Sequence, residues 1–117
     1  MDIRSLSMYS PSFGVTCSGF INDEIDRARV VSLHAMNESV AKDIYTIRNI
    51  YPDKFIYLKK ASQTQNYANM RLFMTANKDD KSASTKISDF KWYFGEANSV
   101  LNIHKIADAL RAYKRKE

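Results

Sequence analysis

Apolar side chains recur at helical spacing through residues 22–51. The intervals along this stripe are 3, 4, 3, 4, 3 and 4 residues, the period of one helix face. Asn22 is a suitable N-cap and Pro52 stops helix formation, so the pattern predicts one long helix between them. Because Asn37 interrupts the seam, the helix is also compatible with a homodimer through residues 22–51. The stripe comprises Val30, Leu33, Asn37, Val40, Ile44, Ile47 and Tyr51, widened by Met36, Ala41 and Tyr45.

The period changes after Pro52. Residues 54–60, 67–76 and 87–94 alternate side chains to two faces, which predicts three strands. Short connections between sequential strands favour an antiparallel meander. Gly95 breaks the last strand, and residues 96–113 return to helical spacing. The predicted fold class is therefore α+β in the order α-β-β-β-α.

The first twenty residues are less regular. Residues 3–9 and 13–17 are consistent with one or two extra strands forming a β-hairpin, and equally with a partly mobile segment. A chain of 117 residues with 44% hydrophobic content is long enough for one real core. We therefore expect a single domain over residues 1–117 that ends in a basic tail, 114–117.

Composition limits the cellular setting. The single cysteine, Cys17, excludes an internal disulfide framework and fits a reducing compartment. No apolar run follows Arg4, so no signal peptide is recognised. No stretch approaches the roughly 18 apolar residues that a transmembrane helix needs. These features predict a cytoplasmic protein with no membrane partner.

Positive charge is concentrated in the second half of the chain. Residues 1–51 contain five basic and six acidic side chains, whereas residues 52–117 contain thirteen basic and seven acidic ones. The net charge of +5 therefore arises from the second half. Such a field suits nucleic acid or an acidic protein surface.

Catalytic and cofactor signatures are missing from the sequence. The two histidines, His34 and His104, belong to no metal-ligand spacing. There is no Cys-x-x-Cys pair, no glycine-rich phosphate loop and no nucleophile elbow. We therefore expect a binding protein that is not an enzyme, with no cofactor and no metal.

The strand alternation divides the sheet into an apolar face and a mixed face. Aromatic and basic side chains interleave on the mixed face, as single-stranded nucleic acid requires. Coverage of this face by other parts of the chain is equally compatible with the pattern, and a one-residue slip would exchange the two faces. The predicted core set is Ile56, Leu58, Met70, Leu72, Met74, Phe90, Trp92 and Phe94. The predicted binding set on the mixed face is Tyr57, Lys59, Tyr67, Arg71, Phe73, Lys91 and Tyr93.

A second basic surface is predicted at the loop and the C-terminal end. Its side chains could contact phosphates, or form an ordinary solvated terminus. Two functions follow: a nucleic-acid-binding module, or a protein-binding inhibitor or accessory factor of viral or mobile-element type that acts on a host complex. The residues of this surface are Lys78, Lys81, Lys86, Arg111, Lys114, Arg115 and Lys116.

Overall fold

The computed structural model describes residues 20–21 and 38–117. Two helices and three strands follow one another in the order α-β-β-β-α, which confirms the predicted α+β fold. The strands form one antiparallel sheet in the order β1-β2-β3. The elements are α1 (Glu38–Asn49), β1 (Phe55–Gln63), β2 (Tyr67–Thr75), β3 (Thr85–Tyr93), a short 3₁₀ turn (Glu96–Asn98) and α2 (Ser99–Arg115).

Several predictions fall outside the described residues. These are the N-terminal strands, the N-cap at Asn22, the seam residue Asn37 and the part of the long helix before α1. At its other end the helix is shorter than predicted, because α1 ends at Asn49. The closing helix begins later than predicted, at Ser99 after the 3₁₀ turn, and ends later, at Arg115, so the basic tail begins within α2.

Both helices pack on one face of the sheet. Side chains from both helices and all three strands form a single buried cluster, as the alternation predicted. Two positions that helical spacing predicts on a buried face, Tyr45 in the first helix and Val100 in residues 96–113, are instead solvent-exposed at 69% and 37%, because each lies at the margin of its stripe. The cluster comprises Ile21, Val40, Ile44, Ile47, Ile56, Leu58, Ala68, Met70, Leu72, Met74, Trp92, Ile103, Ile106, Ala107 and Leu110, with Phe90 and Phe94 packed against it.

Two irregularities set the strand register. Ala61 is skipped in the pairing of β1 with β2, since Lys60 pairs with Met70 and Ser62 with Asn69. Ile87 is skipped in β3, where the partners of Leu72 and Phe73 are Ser88 and Lys86. An extra residue of this kind is a β-bulge. The second bulge lets Ile87 pack against the core while Lys86 points to the opposite face.

Asn102 fastens α2 to the free edge of β3. Its side-chain Oδ1 accepts the backbone N–H of Tyr93 at 3.1 Å, and its Nδ2 donates to the Tyr93 carbonyl at 2.8 Å. The side chain is 1% exposed, so these bonds satisfy polar groups that water does not reach. Lys105 adds a bond from Nζ to the Lys91 carbonyl at 3.1 Å. The helix thereby covers the end of an edge strand that would otherwise present unpaired backbone groups.

None of the helices within residues 38–117 is long and apolar enough to cross a bilayer.

Asn102→Ala should lower the free energy of unfolding by about 2 kcal/mol or more. The change leaves the N–H and carbonyl of Tyr93 buried without partners, at roughly 1–3 kcal/mol for each unsatisfied group. Urea denaturation measures the loss. The matched control is Asn49→Ala, whose side chain is exposed and bonds only to its own helix. Equal stability of the two variants would contradict the role assigned to Asn102.

Candidate functional site

The outer face, meaning the side of the sheet opposite the two helices, carries polar and aromatic side chains in rows. Cross-strand pairing defines each row, because residues directly opposite each other point the same way. The described helices pack on the other side, so neither covers this face. Beyond the Phe55–Thr75 pair at one end of the face, the rows are Tyr57–Phe73–Lys86, then Lys59–Arg71–Asp89, then Ser62–Asn69–Lys91, and last Tyr67–Tyr93.

Aromatic pairs occupy the first and last rows. The rings of Tyr67 and Tyr93 lie 5.7 Å apart between centroids, tilted by 56°. The rings of Tyr57 and Phe73 are stacked at 5.3 Å. Phe73 follows Tyr67 in β2 by six residue steps, a distance of about 20 Å along an extended strand. The outer face is therefore a polar strip with an aromatic pair at each end.

A lysine ammonium stands over each ring of the Tyr67–Tyr93 pair. Lys91 Nζ lies 4.8 Å from the Tyr67 centroid, and Lys105 Nζ lies 4.5 Å from the Tyr93 centroid. At these distances each cation is attracted to the ring face and is held in place by it. This end of the face combines stacking surface with positive charge.

The Tyr57–Phe73 end is covered by neighbouring chain. Tyr57 is only 5% exposed, since the Phe20 ring packs edge-on at 5.7 Å and Lys81 Nζ lies 4.8 Å from the Tyr57 centroid. The Tyr57 hydroxyl donates to Ser84 Oγ at 2.6 Å. Tyr57 thus lies on the predicted face, but its ring supports Phe73 and is not open for stacking.

Most charged side chains of the outer face lie in the middle rows, and Lys86 of the first row reaches them. Lys86 Nζ lies 2.7 Å from the Asp89 carboxylate, and Arg71 Nε lies 3.9 Å from it. About half of each of these side chains remains exposed. The cations Lys59, Arg71, Lys86 and Lys91 stand against the single carboxylate of Asp89 in the described rows, so the face is positive overall.

A shallow depression of about 410 Å³ opens between the middle rows. Asn69 Nδ2 donates to Ser62 Oγ at 2.8 Å along its wall, which fixes the orientation of the carboxamide. The lining residues are Ala61, Ser62, Asn69, Met70, Arg71, Asp89, Phe90 and Lys91.

Sequence reasoning omitted Asp89 and Asn69 from the binding set. Strand alternation alone would have included both, since Asp89 lies two residues before Lys91 and Asn69 two before Arg71. The sequence pattern places Lys86 in the loop before the third strand. In the structure Lys86 belongs to β3, and the bulge at Ile87 turns its side chain to the outer face. Lys105 lies over the Tyr93 ring because α2 packs on β3, and no local pattern in the sequence predicts that packing.

The predicted C-terminal residues do not join the outer face, because α2 lies on the opposite side of the sheet. Arg111 donates to Asp43 at 2.9 Å and to Thr46 at 3.0 Å, so its guanidinium ties the two helices together. Lys114 stands over the Tyr51 ring at 4.6 Å. Arg115 and Lys116 are exposed at the end of α2.

Asp43 is a buried carboxylate shared by two basic groups. Its side chain is 6% exposed, and Oδ2 lies 3.0 Å from His104 Nδ1 while Oδ1 accepts from Arg111. A buried charge requires such partners, because its desolvation is otherwise uncompensated. Within the described part of the chain, no three His, Cys, Asp or Glu side chains are placed to hold a metal ion.

The C-terminal end of α2 contacts the segment that follows α1. The Tyr51 hydroxyl donates to Glu117 Oε1 at 2.9 Å, and the Tyr51 and Tyr113 rings meet edge to face. Burial, the hydrogen bond to Glu117 and the negative charge of that carboxylate together raise the pKa of Tyr51 to about 12.

The chain matches no family model, no curated protein and no solved structure.

Arg111→Ala should reduce the free energy of unfolding by about 2 kcal/mol, because it leaves the Asp43 carboxylate buried with only His104 beside it. Lys116→Ala removes the same charge from an exposed side chain and should change stability by less than about 0.5 kcal/mol. Urea denaturation of both variants tests this. Unchanged stability in Arg111→Ala would show that the guanidinium does not stabilise the buried Asp43 carboxylate.

Stability should decline between about pH 10 and pH 12 through Tyr51. The folded protein holds the phenolic proton more tightly than the unfolded chain, whose tyrosines titrate near 10. This contribution is complete below pH 10 and is lost as the pH rises through the folded value. Difference titration of phenolate absorbance against Tyr51→Phe should isolate a component at about 12. Tyr45→Phe, which removes an exposed phenol, should retain that component, and its disappearance there would refute the assignment.

Proposed function

We propose that this protein is a non-enzymatic module that binds single-stranded nucleic acid on the outer face of its sheet. The observation that carries the proposal is the Tyr67–Tyr93 pair, with a lysine over each ring, at the end of a positive strip. The function requires no cofactor. A reducing compartment such as the cytoplasm suits a chain with one cysteine.

Stacking and charge act on different parts of the ligand. Unpaired bases stack on aromatic rings at roughly 1–3 kcal/mol each, and this energy depends little on base identity. Lys59, Arg71 and Lys91 are spaced along the strip where they can neutralise successive phosphates. A duplex keeps its bases stacked on each other, so a sheet face with half-buried tyrosine rings favours unpaired strands.

The outer face is favoured over the C-terminal end as the binding surface. Arg111 at that end is already paired with Asp43 at 2.9 Å, and its side chain is only 29% exposed. Releasing Arg111 to bind phosphate would break the contact that it makes between the two helices. On the strip, by contrast, Arg71 is about half exposed and its nearest carboxylate is 3.9 Å away.

Fluorescence anisotropy with labelled single strands of DNA and RNA tests the proposal. We expect affinity to fall steeply with salt, and Lys91→Ala to reduce the slope of log K against log salt by about 0.7. Tyr93→Ala should weaken binding by roughly 1–3 kcal/mol through lost stacking. Arg71→Ala should weaken it through a lost phosphate contact. Lys42→Ala and Tyr45→Ala change exposed positions on α1 and should bind as the unmodified protein does.

Two outcomes would overturn the proposal. The first is no binding to any strand at about 50 mM salt, where phosphate contacts are strong. The second is a stable complex with another protein that survives nuclease treatment, combined with no nucleic-acid binding. That result would favour the protein-binding function instead.

A further inference from the structure

We propose that the depression on the outer face seats one unpaired guanine, so that the protein prefers single strands containing that base. This inference rests on the proposed function and adds a base preference to it. The depression, of about 410 Å³, lies within the roughly 300–1,000 Å³ range of ligand pockets. Polar side chains of three kinds line it together with apolar ones: a carboxylate, two cations, and the carboxamide and hydroxyl of Asn69 and Ser62.

The polar groups of the depression match one base edge best. Asp89 offers two carboxylate oxygens that only accept, whereas Arg71 and Lys91 only donate. The Watson–Crick edge of guanine presents two adjacent N–H donors, N1–H and the 2-amino group, beside the O6 acceptor. A carboxylate can accept both donors while a neighbouring cation donates to O6. Adenine, cytosine and uracil each lack two adjacent donors on this edge, so each satisfies only part of the set.

Asp89 is an acidic residue among the cations of the outer face. A carboxylate in the middle of a phosphate-binding strip weakens backbone binding, because it repels phosphate. Lys86 at 2.7 Å offsets part of that charge and holds the carboxylate on the rim of the depression. A contact to base donors gives the acidic group a role that is compatible with the cations around it.

The neighbouring row supplies a platform for the next base. Tyr67 and Tyr93 lie one row beyond Asn69 and Lys91, about 7 Å along the strands. A strand that seats one base in the depression can therefore stack an adjacent base on the Tyr67–Tyr93 pair. Lys91, which lines the depression and stands over Tyr67, lies between the two positions.

The test uses the full chain and pyrimidine strands of roughly ten nucleotides, in deoxyribose and ribose versions. One central position carries guanine, hypoxanthine, adenine or cytosine. Hypoxanthine lacks only the 2-amino group of guanine. We expect guanine to bind on the order of ten-fold more tightly than adenine or cytosine, with hypoxanthine between them.

Asp89→Asn is the decisive variant, since it keeps the shape and removes the second acceptor. It should abolish the preference for guanine, while affinity for the adenine strand stays the same or increases. Asp53→Asn removes an exposed carboxylate away from the sheet and should retain the preference. Equal binding of all four strands overturns the inference and leaves the proposed function standing, as does an unchanged preference in Asp89→Asn. Absence of binding to every strand overturns both.

Discussion

The two hydrogen bonds between Asn102 and the backbone of Tyr93 fix the arrangement of this fold. They attach α2 to the edge of β3, and the Arg111–Asp43 pair then attaches α1 to α2. Both helices are thereby placed on the same side of a three-stranded sheet. A sheet with so few strands and both helices on one side has a second face that these elements cannot cover.

That second face differs from an ordinary solvated sheet in how its charges are held. Lysines stand over tyrosine rings, and Lys86 bridges to the carboxylate of Asp89. Side chains fixed by such contacts lose less conformational entropy when a ligand arrives. Phe20 and Lys81 cover the Tyr57 end of the strip, whereas the rings of Tyr67 and Tyr93 at the other end are half-buried.

Local pattern predicts the fold and most side chains of the outer face, but not Lys86, which reaches that face through the bulge at Ile87. Alternation in residues 54–94 assigned Leu58, Met70 and Trp92 to the core and Lys59, Arg71 and Tyr93 to the opposite side, as the structure has them. A local pattern does not predict contacts between residues that are distant in sequence. Arg111 and Asp43 are 68 residues apart in sequence, so the residues around Arg111 do not predict that it binds this carboxylate. The burial of Tyr57 likewise depends on Phe20 and on the loop that carries Lys81.

The bulge at Ile87 has a further consequence for how the strand can change. On either side of it, β3 alternates in opposite phase: Lys86 shares a face with Asp89, three positions away, and Asp89 with Lys91, two positions away. The extra residue Ile87 thus shifts the alternation of side chains by one position, so that Lys86 and Asp89 lie on the same face of the sheet. Insertions or deletions elsewhere in β3 would invert the chemistry of the face beyond them, whereas loss of Ile87 would remove the bulge and leave Lys86 opposite Phe73, on the face that it already occupies. The outer face therefore tolerates a change in length at the bulge but not within the regular parts of β3.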